Sequence, residues 1–231
     1  MKKMKNMNKM KNSSTTGSFA VAEPSGPALQ VCRLIIVFLL VCSAHSLRAE
    51  ITPLDVIRSS NTLVLDIYEA SPEITRKVLD DITRVMEKVT DFEEIADRVV
   101  QKTCVGGSGD SCEQLKTEFI ALLKLNATRK LGRYRADRFD YLGQVVEGRT
   151  ARVKTIAWFQ EDSVELDYIL EKKEGRWVIV NYIADGVDTV RNYQSQFSRI
   201  ISKKSVNFLI GRLEKKNRLY RKERSEIKKQ L

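Results

Sequence analysis

Apolar residues recur at helical spacing through the first half of the chain, and from Phe139 the period changes to two. Thr52-Pro53 reads as an N-cap followed by proline at the first helical position, which predicts a helix running to about Tyr68. A second helix is expected from Pro72, where Ile74, Val78, Ile82, Val85 and Val89 keep to one face. Asp91 is placed to cap a third, with Phe92, Ile95 and Val99 as its stripe, ending near Thr103. Ser111 begins a fourth, to about Tyr134, with Leu115, Phe119, Leu122 and Leu123 apolar. Residues 140–146, 152–159, 163–171 and 176–183 then read as strands, with turns at Gly148-Arg149, Glu161-Asp162 and Glu174-Gly175. Val164, Leu166, Tyr168 and Leu170 share one face of the third strand, opposite Ser163, Glu165, Asp167 and Ile169. Such short connections make neighbouring strands antiparallel. Two helices close the pattern, over 188–203 and 205–224. Val190, Tyr193, Phe197, Ile200 and Ile201 form the stripe of the first, and Asp188 sits where its N-cap belongs. Val206, Leu209, Ile210 and Leu213 form that of the second. The order predicts an α+β domain: an antiparallel sheet of about four strands wrapped by N- and C-terminal helices.

The beginning of the chain follows a different pattern. Residues 34–44 are uncharged and mostly apolar, preceded by Arg33 and a Lys-rich start. A membrane-spanning helix needs roughly twenty apolar residues, so this run fits the core of a signal peptide. Cleavage is expected after Ser46 or Ala49, and Val41 before Cys42 is a poor fit to a lipoprotein signal. Residues 12–30 are rich in Ser, Thr, Gly, Ala and Pro without periodicity; disorder or a start further downstream explains them equally well. The organisation read from this is a leader over 1–49, one domain over 50–224 and a basic tail over 225–231. No internal repeat interrupts it.

Removing the leader changes the meaning of the charge. The whole chain is +10, but seven Lys/Arg and one Glu fall in the leader, which leaves about +4. Residues 211–231 hold nine Lys/Arg against three Glu, so the body over 50–210 is near −2. A near-neutral domain with a basic end is not a nucleic-acid binder.

The inventory of reactive groups is short. The one histidine, His45, lies in the leader, so the exported chain has no Ser-His or Cys-His nucleophile system. Cys104 and Cys112 remain, too few for a thiolate zinc site. They bracket a Gly-rich tether, and in an exported protein a disulfide is expected, two free thiols being the alternative. Gly106-Gly107-Ser108-Gly109 lacks a P-loop lysine and follows a helix. The carboxylate pairs Asp80-Asp81, Glu93-Glu94 and Glu161-Asp162 are neighbours in sequence and read as solvated charge. No catalytic residue, metal site or cofactor is expected.

Residues 175–197, GRWVIVNYIADGVDTVRNYQSQF, carry the most specific signal. A Trp-led strand breaks at Asp185-Gly186 and hands over to the helix. Trp177, Gly186, Val187, Val190, Tyr193, Gln196 and Phe197 match the pattern of the MlaC family of periplasmic phospholipid-binding proteins, which this segment resembles. Asn181 stands for the usual Asp, Asp185 for Glu and Asp188 for Ser. The resemblance implies a strongly twisted sheet wrapped by helices, with an apolar cavity between them holding the acyl chains of a phospholipid. It implies a non-enzymatic carrier whose partners are an inner-membrane ABC transporter with an MCE-domain protein and an outer-membrane lipoprotein–porin assembly. Transient membrane contact goes with that role. Trp177, Ile183, Val187, Val190, Tyr193 and Phe197 are the residues expected to touch lipid. Two other readings stay open. One is an exported adaptor whose basic tail docks on an anionic membrane; the other, weakened by the missing histidine, is a small-molecule enzyme.

Overall fold

The computed structural model describes residues 50–71, 73–104 and 109–227. The expected leader, Pro72 and the last four residues of the tail lie outside these. Among the described residues the order is α1 (Pro53–Glu69), α2 (Arg76–Val89), α3 (Phe92–Thr103), α4 (Gly109–Arg133), β1 (Arg138–Glu147), β2 (Thr150–Phe159), β3 (Asp162–Lys173), β4 (Arg176–Ala184), β5 (Val187–Asp188), α5 (Thr189–Lys203) and α6 (Val206–Glu226).

Side-chain caps set most helix starts. Thr52 Oγ1 accepts from Asp55 N at 3.2 Å while the Asp55 carboxylate accepts from Thr52 N at 3.0 Å, a reciprocal capping box ahead of Pro53. The second helix starts at Arg76 rather than at Pro72. Thr75 is the reason: its hydroxyl accepts from Val78 N at 3.3 Å, which proline cannot do. Asp91 caps α3 and also donates its N–H to Ile179 O at 2.9 Å, which pins the α2–α3 joint to β4. α4 begins two residues earlier than Ser111, at Gly109. At the other end α6 runs on through Ser225 to Glu226, residues expected in the tail. Its last turns are held by Arg129–Glu223, at 2.7 Å, and by an Arg224–Asp80 pair.

The sheet is antiparallel, twisted and unclosed, in the order β1-β2-β3-β4-β5. It has five strands rather than four. The extra strand is the two-residue β5, which folds back on Ile183 and Ala184 across Asp185-Gly186. Both turn residues are left-handed, φ 47° and 76°, the geometry of a tight hairpin. Gly186 adopts it without a Cβ penalty, and Asp185 is held by bonds to the Glu165 backbone in both directions. The β2–β3 turn is Gln160-Glu161, one residue earlier than expected, because Gln160 N donates to the Asp137 carboxylate and Asp162 already pairs with Phe159.

Alternation along β2 buries Ala151, Val153, Thr155 and Ala157 and exposes Arg152 and Lys154, so one face of the sheet meets helices and the other water. Under the inner face, Ile57 of α1 packs with Val153, Tyr168, Leu170, Trp177 and Ile179. A second cluster is built from helices alone, with Phe119 and Leu122 of α4 fully buried among α3, α5 and α6. A third joins Val64 and Tyr68 of α1 to Val78 and Ile82 of α2.

Candidate functional site

The segment from β4 to α5 lies where the sheet cluster and the helix cluster meet. Trp177, 8% exposed, belongs to the sheet cluster. Val190 and Phe197 are buried in the helix cluster, and Tyr193 packs against it half-buried. Phe119 is the centre of that contact, its ring 4.8 Å from Tyr193 and 4.9 Å from Phe197, both edge-on. Ile183 is half-buried and pairs with Asp188 beside the hairpin turn. Val187 points away, 54% exposed, because the short hairpin turns its side chain outward. Trp177 thus stands on one side of the seam between the two clusters, and Val190, Tyr193 and Phe197 stand on the other. Tyr182 spans it, packed against both clusters.

Polar groups concentrate on the sheet side of this seam. The Tyr182 hydroxyl shares a hydrogen bond with Thr90 Oγ1, and its ring lies 5.7 Å from that of Tyr168. Tyr168 donates to Asn61 Oδ1 at 3.3 Å, and Asn61 Nδ2 is buried without a partner. Burial pushes the Tyr182 hydroxyl up to about 12, and Tyr168 is raised further for the same reason. Both stay neutral at any physiological pH. They offer hydrogen bonds, not a nucleophile.

One residue fixes the turn from strand to helix. Asn181, 8% exposed, accepts from Tyr182 N at 2.9 Å and from Val190 N at 3.2 Å. Its Nδ2 donates to Asp188 Oδ1 at 2.9 Å, and the same oxygen caps α5 by accepting from Arg191 N at 2.9 Å. The two departures from the family pattern thus compensate. An acid at both 181 and 188 would set two carboxylates against each other; Asn with Asp keeps one charge and supplies a donor to it.

Elsewhere, Cys104 and Cys112 are joined by a disulfide, Cα atoms 5.9 Å apart, which ties the end of α3 to the start of α4. Lys173 bonds Glu94 at 2.6 Å and Asp91 at 3.0 Å, and Arg98 bonds Glu171 at 2.6 Å, so ion pairs link α3 to β3. A pocket of about 420 Å³ lies between α2, α4 and α6, lined by Leu79, Leu125, Gly132 and Tyr220 among others; one of about 210 Å³ lies beside the disulfide. Neither reaches the β4–α5 segment. Among the described residues no group of three or more His, Cys, Asp or Glu stands close enough to hold a metal, and no helix is long and apolar enough to cross a membrane.

Residues 58–215, from within α1 to within α6, match the family model described as MlaC protein. The chain belongs to the MlaC family. A solved structure with a similar fold is the phospholipid-binding protein from Ralstonia solanacearum, determined in complex with a phospholipid. It is 19% identical, superposes with a TM-score of 0.62, and the alignment covers 71% of this chain and 96% of that one. No curated protein matches. The matched region holds the whole MlaC-type sheet and the seam beneath it. Asn61, Thr90 and Tyr182 were not among the residues expected from sequence; they come from α1, the α2–α3 joint and β4 and meet only in the fold.

Proposed function

We propose that this chain is an exported, non-enzymatic phospholipid carrier of the periplasm, with the acyl chains held in the seam between β4 and α5. Family membership carries the reading, and the phospholipid bound to the Ralstonia relative supports it. Trp177 bounds the site on the sheet side, and Val190, Tyr193 and Phe197 bound it on the helix side. Ile183 stands near the mouth. Val187, exposed at the hairpin, marks the rim where a headgroup meets water.

The energetics suit a reversible carrier. Two sixteen-carbon chains are worth on the order of 25 kcal/mol relative to water, at about 0.8 kcal/mol per methylene. A bilayer already satisfies that amount. The seam therefore only has to match the membrane, and its side chains part to admit the chains. Transfer is nearly neutral and needs partners that open the protein at each membrane: an inner-membrane ABC transporter with its MCE-domain protein, and an outer-membrane lipoprotein–porin assembly. With the headgroup in water, selectivity among headgroups is weak. The phospholipid is cargo, and no cofactor takes part.

Solvent extraction of the purified exported protein followed by mass spectrometry tests this. Diacyl phospholipid near one per chain is the expected result. Protein that carries none after gentle purification, and takes up none from vesicles, overturns it.

A further inference from the structure

The outer face of α6 holds an arrangement that the seam does not use. Phe208 and Leu219 are 46% and 52% exposed there, although each is large and apolar. They are eleven residues apart. At 100° per residue Leu219 returns to within about 20° of Phe208, three turns and about 16 Å along the axis. Both can touch one flat surface at once. Between them on the same line stand Arg212 and Lys215, exposed and with no acidic partner among the described residues. Lys222 extends the line, and Glu226, which ends it on the same face, is 3.9 Å from Lys222 and offsets that one cation. The remaining acids are turned aside: Glu214 bonds Arg218 at 3.7 Å and Glu223 bonds Arg129 at 2.7 Å. The opposite face of α6, Leu209, Ile210, Leu213 and Asn217, is buried in the fold. The outward line is thus free to dock while the helix keeps its place.

We infer that this face docks the protein on an anionic phospholipid bilayer, the cations meeting headgroup phosphates and Phe208 and Leu219 entering the interface. Two uncompensated cations, Arg212 and Lys215, set between two apolar side chains match a membrane surface, which is flat, negative and greasy just below the headgroups. A folded acidic partner would satisfy the cations but would need a hydrophobic groove for the two anchors. This docking is independent of lipid carriage in the seam, and the two fail separately.

Vesicle flotation of the purified exported protein tests it, with the bound-lipid content and thermal unfolding of each variant measured alongside. The protein is expected to float with vesicles containing phosphatidylglycerol, not with pure phosphatidylcholine. It should be released when salt approaches about 1 M, where the Debye length falls to about 3 Å. R212Q/K215Q should weaken partitioning about thirtyfold, at the usual strength of a cation near a charged leaflet. F208S/L219S should weaken it by about tenfold with the salt dependence kept. All four side chains are exposed, so unfolding and bound lipid should not change. Failure to float on anionic vesicles at low salt, equal binding to neutral ones, or unchanged binding in either double variant overturns the proposal.

Discussion

The two apolar clusters that meet at Tyr182 are built differently. The helix cluster, centred on Phe119, is made of buried aliphatic and aromatic side chains with Cys104 of the disulfide, its rings set edge to face. The sheet cluster has its own buried Ile57, Val153 and Leu170, but Asn61, Thr155 and the hydroxyls of Tyr168 and Tyr182 are laid into it. Each side leaves one buried polar atom unpaired, Asn61 Nδ2 under the sheet and Asn217 Oδ1 between α4 and α6, so the difference lies in how many hydroxyls and amides are set among the apolar groups. A close-packed apolar cluster resists any change of volume, whereas one rich in hydroxyls and amides can remake its hydrogen bonds with water when its layers part. The difference teaches where this fold can open. On the proposed reading the helix cluster is the fixed wall of the seam and the sheet cluster the wall that yields.

The largest effect should come from the fixed wall. Phe119→Ala removes a fully buried ring and should cost about 3–5 kcal/mol, with lipid lost only because the fold is lost; denaturant unfolding followed by circular dichroism checks this. Reducing Cys104–Cys112 loosens the same wall at its α3–α4 corner. The closed segment is short, so the loss should be about 2–3 kcal/mol, read as a drop in unfolding midpoint on adding reductant. If reduction has no effect, the helix cluster is less dependent on that corner than its packing says.

Asn181→Ala cuts the joint between the walls. It strands the Val190 N–H and takes a donor from Asp188, so a loss of about 1–3 kcal/mol is expected. Asn181→Asp should be as harmful, by opposing two carboxylates; Asn181→Asp with Asp188→Ser should recover most of it. Non-additivity in that double-mutant cycle is the measurement.

The smallest effect concerns pH. The Lys173 ammonium, and after it Arg98, hold the Glu94 carboxyl below its ordinary range. A depressed folded-state acid adds stability above its unfolded value and loses it as pH falls through the folded one. Stability should therefore decline below the ordinary carboxylate range, and Glu94→Gln should flatten part of that slope. The side chain is still in part exposed, so solvent screens the pairs and the change is small.

The sequence made the two halves of this molecule legible to different depths. Period-two alternation located the four long strands; it is cleanest in β2, where one face meets helices and the other water, while β4 is buried without a break from Ile179 to Asn181. Caps located α1, α3 and α5 because Thr52, Asp91 and Asp188 each sit just ahead of an apolar stripe. β5 is too short for any period, and the hairpin it makes leaves Val187 exposed, which the sequence does not signal. Proline drew the start of α2 too early because a cap from Thr75 leaves no periodic trace. On the helix side of the seam, Val190, Tyr193 and Phe197 were readable as one stripe. On the sheet side, the meeting of Thr90 with Tyr182 and of Asn61 with Tyr168 depends on contacts between distant segments. Asn181 was visible only as a departure from a family pattern, and its partnership with Asp188 needed the hairpin that brings them together.

The seam itself is tested most directly at Val190. The residue is buried in the first turn of α5, where its side chain faces the fixed wall beside Tyr182. A carboxylate there faces an apolar space, which is costly unless paired. It also sits near a helix N-terminus, which tolerates negative charge better than the site of Phe119 does. Bound lipid per chain and thermal unfolding should be measured on the same preparation of Val190→Glu. The expected result is a folded protein, destabilised less than Phe119→Ala, that has lost most of its phospholipid. A variant that keeps its full lipid, or that fails to fold, contradicts it.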